Sequence, residues 1–371
     1  MPQKTALFKS ASWPKYKNPD KPLVVDLFSG IGGFSLGFEQ VGFRTVLGVD
    51  FDSSALETFR YNHPHSDALQ LDLSDSDAVS RLKSRIRRQH VDVLLAGPPC
   101  QGFSLTGPRN LEDPRNRLYL AALETVRTLQ PTAFIIENVP GMKTLYGGHV
   151  LSDILDRIDG MGYSTSSGVL TAADFGVPQL RRRLIILAIK GRGLDVSLPK
   201  PLLKPAEYVS CADAIGDLPS RSDDLGQEVD DYTSPPLSAY QRSMRRGSTA
   251  LHNHVATRHT ELVRSVIRLV PEGGNYKDLP PGIGTSRRFN EAWTRYHGEK
   301  PSRTIDTGHR NHFHYKWDRV PTIRENARLQ SFPDQFVFLG TKTEQNRHVG
   351  NAVPPLLARA LARHVNKLLG R

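Results

Sequence analysis

The sequence predicts an α/β fold, a mainly parallel sheet layered with helices, followed by a smaller and irregular second domain. Three observations carry the prediction. Short β-rich runs alternate with segments of helical period over the first half of the chain; the apolar runs are nearly continuous, as VDVLLA (Val91–Ala96) illustrates; and after Ile189 the texture changes to Pro, Gly, Ser and charge, with weak periodicity until about Trp317. Continuous apolar strands are those covered by helices on both faces, and the alternation is that of βαβ units. With 371 residues, 38% hydrophobic and 23% charged, the chain is long enough for one large domain and a smaller one.

In chain order, Leu23–Phe28, Thr45–Val49, Val91–Ala96, Ala133–Ile136 and Leu184–Ile189 read as strands. Between them, Asp75–Gln89, Arg115–Leu129 and Val150–Gly160 have the length and apolar spacing of crossover helices. Regular structure returns at Thr322–Leu329, and Pro354 and Pro355 open a last helix whose Leu357, Leu361, Val365 and Leu368 form one apolar face. That helix is expected to pack back on the first domain. The boundaries that follow are an extension over residues 1–20, a first domain over 21–190, a second over 191–320 and a C-terminal segment over 321–371.

The formal net charge of +11 points to an acidic partner, because Lys and Arg that neutralise phosphates release condensed counterions; a membrane surface fits the charge equally well. The placement of that charge is uneven. Between Glu207 and Asp231 eight acidic residues stand against Arg221, a net −7, whereas Tyr240–Val320 holds fifteen Lys and Arg against seven Asp and Glu, a net +8. Cys100 and Cys211 are the only cysteines, too few for a disulfide framework or a Cys-rich zinc site. The N-terminus lacks the apolar core of a signal peptide, and no run approaches the roughly 18 to 20 apolar residues of a membrane span. A cytoplasmic protein is expected.

The string VVDLFSGIGGF (Val24–Phe34) runs from an apolar strand through a Gly-rich turn into a helix, an arrangement that brings a ligand against exposed backbone N–H groups. Ser35 stands where a dinucleotide fingerprint would have its third glycine. Asp50, 24 residues after Asp26 at the end of the second strand, is placed to accept hydrogen bonds from ribose hydroxyls. Together these features favour a nucleoside-containing cofactor over a loop that merely turns.

VDVLLA leads into GPPCQGFS (Gly97–Ser104), which puts Cys100 at the carboxyl end of a parallel strand, where open α/β sheets bind their ligands, on a loop stiffened by Pro98 and Pro99. The plain alternative is a buried Cys acting as a small apolar residue. A nucleophilic thiol needs cationic or dipolar neighbours, and Arg181 and Arg183 of PQLRRRL are candidates: Gln179, Arg181 and Arg183 should share one strand face while Arg182 points away. AFIIENV brings Glu137 to a strand end, with Asn138, Pro140 and Gly141 in the turn. A partly protonated carboxyl group there can donate to a ring nitrogen while accepting from an exocyclic amine; a helix cap or a salt-bridged Glu is the alternative.

In this order, DLFSGIGG, GPPCQGFS, ENV, QLRRR, RLQSFPD and GNAVPP resemble the motif set of the DNA (cytosine-5)-methyltransferases over nearly the whole chain. The resemblance implies a Rossmann-like S-adenosylmethionine-dependent methyltransferase sheet with a smaller, irregular target-recognition domain. It implies a pocket for S-adenosylmethionine lined by Asp26, Phe28, Gly30, Gly32, Gly33, Asp50, Phe51, Asp72 and Pro98, and completed by Asn351 and Val353. It also implies that Cys100 attacks carbon six of a flipped-out cytosine, with Glu137 on the base edge, Arg183 near the ring oxygen and Arg181 beside them.

The basic region corresponds, by the same resemblance, to the target-recognition part, in which NHV, PEGGNYKDLP and PSRTI match recurring segments. Gln101, Ser104, Gln179, Arg287, Arg288 and Thr304 are expected to approach double-stranded DNA. Seven histidines fall here, including His252, His254, His309, His312 and His314; without an acidic or Cys set around them they are expected to be surface or phosphate-contacting groups, and no metal is expected. An RNA-directed enzyme of the same architecture would carry a Cys-Phe-Thr segment, absent here, and a silent DNA-binding paralogue would have lost Cys100, Glu137 or the Gly-rich loop. The chain resembles a stand-alone bacterial modification enzyme, monomeric, with a cognate restriction endonuclease as its genetic partner.

Overall fold

The computed structural model describes residues 21–86, 89–99, 118–222, 224–284, 292–308 and 311–370. Two compact units divide the chain: one holds the described part of Lys15–Thr171 with Arg182–Pro201 and Pro355–Arg371, the other Ala172–Arg181 and Leu202–Pro354.

The first unit is built on a seven-stranded sheet. Its strands are β1 (Leu23–Leu27), β2 (Arg44–Asp50), β3 (Asp67–Gln70), β4 (Val93–Ala96), β5 (Ala133–Asn138), β6 (Tyr163–Thr171) and β7 (Arg182–Lys190), in the order β3-β2-β1-β4-β5-β7-β6. The first five pair in parallel, and β7 runs antiparallel to both β5 and β6. Chain order reverses between β1 and β4, so the carboxyl ends of these strands border the crevice in which such sheets bind ligands. All five strands read from the sequence are present to within two residues at either end. The two that the reading missed, DALQ and YSTSSGVLT, are the edges of the sheet, where one strand neighbour and partial exposure leave little apolar signal.

Helices α1 (Gly33–Glu39), α2 (Ser53–Asn62), α3 (Ala78–Ile86), α4 (Leu118–Leu129) and α5 (His149–Gly160) belong to the same unit. Val25, Leu27, Val49, Leu94, Ala96, Phe134 and Ile136 from four central strands are buried in its main apolar cluster with Leu82, Val126 and Ile154 from the helices. The C-terminal helix (Pro355–Leu368) packs against α1. That contact depends on Gly37, where a Cβ would lie 2.3 Å from Ala358 Cβ and 2.6 Å from the Pro355 carbonyl oxygen.

The second unit has short helices, α6 (Cys211–Ile215), α7 (Ala239–Met244), α8 (Glu261–Leu269), α9 (Ile323–Leu329) and α10 (Lys342–Asn351), and two small two-stranded sheets. Small apolar clusters, Cys211, Ile215, Leu251 and Leu329 in one and Ile267, Val270, Phe313 and Val320 in another, are accompanied by buried ion pairs. Arg328 donates to Asp334 through Nε (2.8 Å) and Nη2 (2.7 Å) and to Asp217 through Nη1 (2.5 Å). Arg319 grips Glu325 at 2.8 and 2.7 Å, while Thr322 and Glu325 close a capping box at the start of α9. These contacts explain why the units depart from the consecutive segments read from the sequence. Arg328 and Leu329 tie α9 to Asp217 and Cys211, so the C-terminal part divides near Pro354 and not near residue 321.

Candidate active site and cofactor cleft

Beyond β1 the chain turns through Phe28, Gly30 and Gly32 with φ of 57°, 51° and 89°, a left-handed path that glycine adopts at little cost. At Gly32 a Cβ would stand 2.2 Å from His63 Nε2, so the turn rests directly on that imidazole. His63 is buried, stacks on Phe59 at 4.4 Å, and its Nδ1 lies 3.0 Å from the Glu39 carboxylate. Beneath the turn, buried Asp26 accepts from the Ser35 hydroxyl (2.6 Å) and the Ser35 N–H (3.2 Å). Serine at this position therefore satisfies a buried carboxyl group, a role the sequence reading missed. Burial pushes Asp26 up to about 7, against the opposing pull of the Ser35 hydroxyl and of His63.

Asp50 ends β2 with one oxygen accepting from Gly30 N–H (2.8 Å) and the other from Asp52 N–H (2.9 Å), and its burial raises its pKa above the ordinary value. A carboxylate has about four acceptor positions, so roughly half remain for a ligand. The next residue, Phe51, is 67% exposed, which removes it from the core and leaves an apolar face at the strand end. Phe28 instead packs partly against the main core. Asp72 is exposed and its Oδ1 accepts from Ser74 N–H and Oγ at 2.8 and 2.7 Å, fixing a turn after β3. A left-handed glycine turn, a carboxylate with spare acceptor capacity and an exposed ring fit the ribose and base of a nucleoside cofactor.

Two strands away, Ala96 of β4 pairs with Ile136 of β5, so the chains leaving these strands start side by side. Asn138 Nδ2 donates to the Pro98 carbonyl (3.2 Å), and a Cβ on Gly97 would lie 3.8 Å from Glu137 Oε2. Glu137 is 9% exposed and carries an ion pair, Arg183 Nε standing 2.8 Å from Oε1. Antiparallel pairing of Asn138 with Leu184 brings that guanidinium alongside. The carboxyl group thus faces a fixed cation, which its apolar strand did not announce. Cys100, Gln101 and Ser104 lie outside the described residues, as do Arg287, Arg288 and His309.

The expected alternation of Gln179, Arg181 and Arg183 along one strand face is corrected by the structure. β7 begins only at Arg182, and Gln179 makes an isolated bridge to Ser302. Fully buried Gln179 accepts from Ile305 N–H (3.0 Å) and donates to Gln330 Oε1 (2.9 Å) and the Leu329 carbonyl (3.2 Å). Arg181, also buried, donates to the Gly350 carbonyl at 3.0 Å. Backbone groups of the second unit claim both side chains, which positions segments 302–305 and 349–352 and leaves neither facing solvent. Thr304 is exposed beside buried Ile305; Asn351 is exposed and Val353 buried in the same unit.

The histidines are corrected as well. His254, His312 and His314 are buried, not superficial; His254 bonds Thr322 Oγ1 (2.9 Å) and the Pro219 carbonyl (2.8 Å). Burial lowers their pKa values to about 4, 4 and 3. Among the described residues, no group of three or more His, Cys, Asp or Glu side chains could hold a metal ion, and no helix is long and apolar enough to cross a membrane.

Comparison with known proteins agrees with this geometry. The chain is 38% identical over 347 residues to Type II methyltransferase M1.HphI of Haemophilus parahaemolyticus, covering 93% of this chain and 86% of that protein. It is 35% identical over 371 residues to Type II methyltransferase M.DdeI of Desulfomicrobium norvegicum, covering 92% and 88%. A prophage-encoded Escherichia coli protein, assigned as a DNA modification methyltransferase, superposes with a TM-score of 0.77 at 26% identity, covering 95% of this chain and all of that one. A family model for C-5 cytosine-specific DNA methylases matches residues 23–367, and the chain belongs to that family of S-adenosylmethionine-dependent DNA (cytosine-5)-methyltransferases.

Proposed function

We propose that this enzyme methylates carbon five of one cytosine within a specific duplex sequence through a covalent adduct on Cys100. The observation that carries the proposal is the adjacency at the ends of β4 and β5: Pro98 is bound by Asn138, and Glu137, paired with Arg183, lies against Gly97, three residues before Cys100. A flipped base entering there would meet a nucleophile and a hydrogen-bonding carboxyl group together.

In this reading the Cys100 thiolate adds to carbon six of the cytosine, and the electron density moves to carbon five. Glu137 holds the ring-nitrogen and amine edge, and Arg183 keeps the carboxylate oriented and faces the ring oxygen. When bound, S-adenosylmethionine would supply the electrophilic methyl group that carbon five takes up, the broken S–C bond leaving its electron pair on the sulfur of S-adenosylhomocysteine. Loss of the proton from carbon five then expels the thiolate and restores the aromatic ring. Asp50 and Phe51, with the Gly30–Gly33 turn, would hold the cofactor. Arg181 and Gln179 act as positioning residues, because both are buried on backbone partners. Thr304, Gln101, Ser104, Arg287 and Arg288 would approach the duplex, and a cognate endonuclease would cleave the same site when unmethylated.

The test is transfer of labelled methyl from S-adenosylmethionine to duplex DNA and, in parallel, to transfer RNA. Label is expected in DNA only, absent with Cys100→Ser, and slowed about 10²- to 10⁴-fold in kcat by Glu137→Gln. Label confined to RNA, or retained by Cys100→Ser, would overturn the reading.

A further inference from the structure

A small cleft of about 130 Å³ in the second unit is lined by Arg221, Thr257, Arg258, His259, Arg264 and Trp317, among others. Its cations fall into two classes. Arg221 is spent on the His254 carbonyl, Asp224 and Asp230, and Arg319, also in the wall, on Glu325 and the Ser220 carbonyl. The one carboxylate in the lining, Asp318, is taken by Arg268 and Arg295. The guanidinium groups of Arg258 and Arg264, by contrast, make no hydrogen bond or ion pair with any described residue, so two positive charges line the cleft without a bound counter-charge.

The neighbourhood registers this excess. Burial first, then Arg319, Lys342 and Arg264, lower the pKa of His259. The nine-residue helix α8 starts beside the cleft with Thr260 as its cap, adding the positive end of its dipole. The cleft is small, about 130 Å³, against the roughly 300 Å³ that drug-sized ligands require. A tetrahedral oxyanion fits a cleft of this size.

We propose that this cleft seats one phosphodiester of the DNA backbone through Arg258 and Arg264, as an anchor that contributes affinity without reading sequence. The inference rests on the DNA-directed reading above and extends it to residues that neither the motifs nor the comparisons single out. Guanidinium forks match phosphate oxygens, and both arginines lie in the stretch of net charge +8.

The experiment measures duplex binding by the full chain across a salt series, for wild type, Arg258→Ala/Arg264→Ala and Arg264→Lys, with inorganic phosphate as a separate titrant followed by Trp317 fluorescence. One lost contact should lower the slope of log K against log salt by about 0.9, equivalent to about eightfold in affinity between 1 M and 0.1 M salt. The loss is expected to be equal for all duplex sequences, with kcat at saturating DNA and thermal melting unchanged, and Arg264→Lys is expected to recover part of it. An unchanged slope in the double variant overturns the proposal. So does phosphate binding in the cleft together with an unchanged slope, which would make it a free-anion site. If wild type methylates DNA while the double variant binds it normally, only this inference falls; if wild type neither binds nor methylates DNA, the reading beneath it falls too.

Discussion

The sheet unit and the second unit solve the same problem, burying a chain, with different materials. In the first, aliphatic side chains from parallel strands fill the interior, and polar groups collect at the strand ends, where Asp26, Asp50 and Glu137 sit. In the second, short elements cannot present long apolar faces, and Arg319, Arg324 and Arg328 are buried with Glu325, Asp217 and Asp334 in their place. Apolar contact tolerates exchange among residues of similar volume, whereas a buried ion pair demands both partners in one geometry. The comparison therefore predicts that the first unit depends on volume and the second on identity.

The largest stability effect should come from Arg328→Met, which removes the cation shared by two fully buried carboxylates and leaves Asp217 to Arg245 and Asp334 to Arg324. A loss of about 3–5 kcal/mol is expected by chemical denaturation, and Arg328→Lys should recover little because a lysine cannot reproduce the forked pairing. Full recovery by lysine would erase the contrast. In the sheet, Leu94→Ala should cost about 2–5 kcal/mol, yet Leu94→Met should cost less than about 1.5 kcal/mol.

Titration sharpens the comparison, since the two units should respond to pH with opposite sign. His254, His312 and His314 stay neutral in the fold while the unfolded chain binds protons at the ordinary value near 6.5. Stability from the second unit is therefore lost as pH falls from about 6.5 toward 4. Asp26, raised to about 7, works the other way: its contribution is complete below the ordinary carboxylate range and disappears as pH rises through 7. From pH 7 to pH 5 a net loss on the order of 3 kcal/mol is expected, larger in Asp26→Asn, which lacks the compensating proton. A smaller loss in that variant would contradict the assignment.

The smallest effect concerns the glycine turn. Gly30→Ala, with open space around the new methyl group but φ of 51°, should cost about 1 kcal/mol. Gly32→Ala must in addition displace His63, and its melting temperature should fall further, with weaker S-adenosylmethionine binding. Equal melting temperatures for the two variants would show that the imidazole yields freely.

The sequence by itself determined the central sheet, the Gly-rich turn and the placement of Glu137 at a strand end, because covered parallel strands are written as continuous apolar runs and strand ends as the turns that follow them. It also marked where regular patterning stops, after Ile189. It did not reveal β3 and β6, whose edge positions leave few apolar residues, nor that Gln179 and Arg181 serve the backbone of the second unit. Only the tertiary structure decided that Arg183 lies on Glu137, that Ser35 satisfies Asp26, that His254 and His314 are interior, and that α9 belongs with Asp217. These are contacts, most of them between residues far apart in the chain, whose partners are chosen by direction and distance, and local residue patterning carries no record of either.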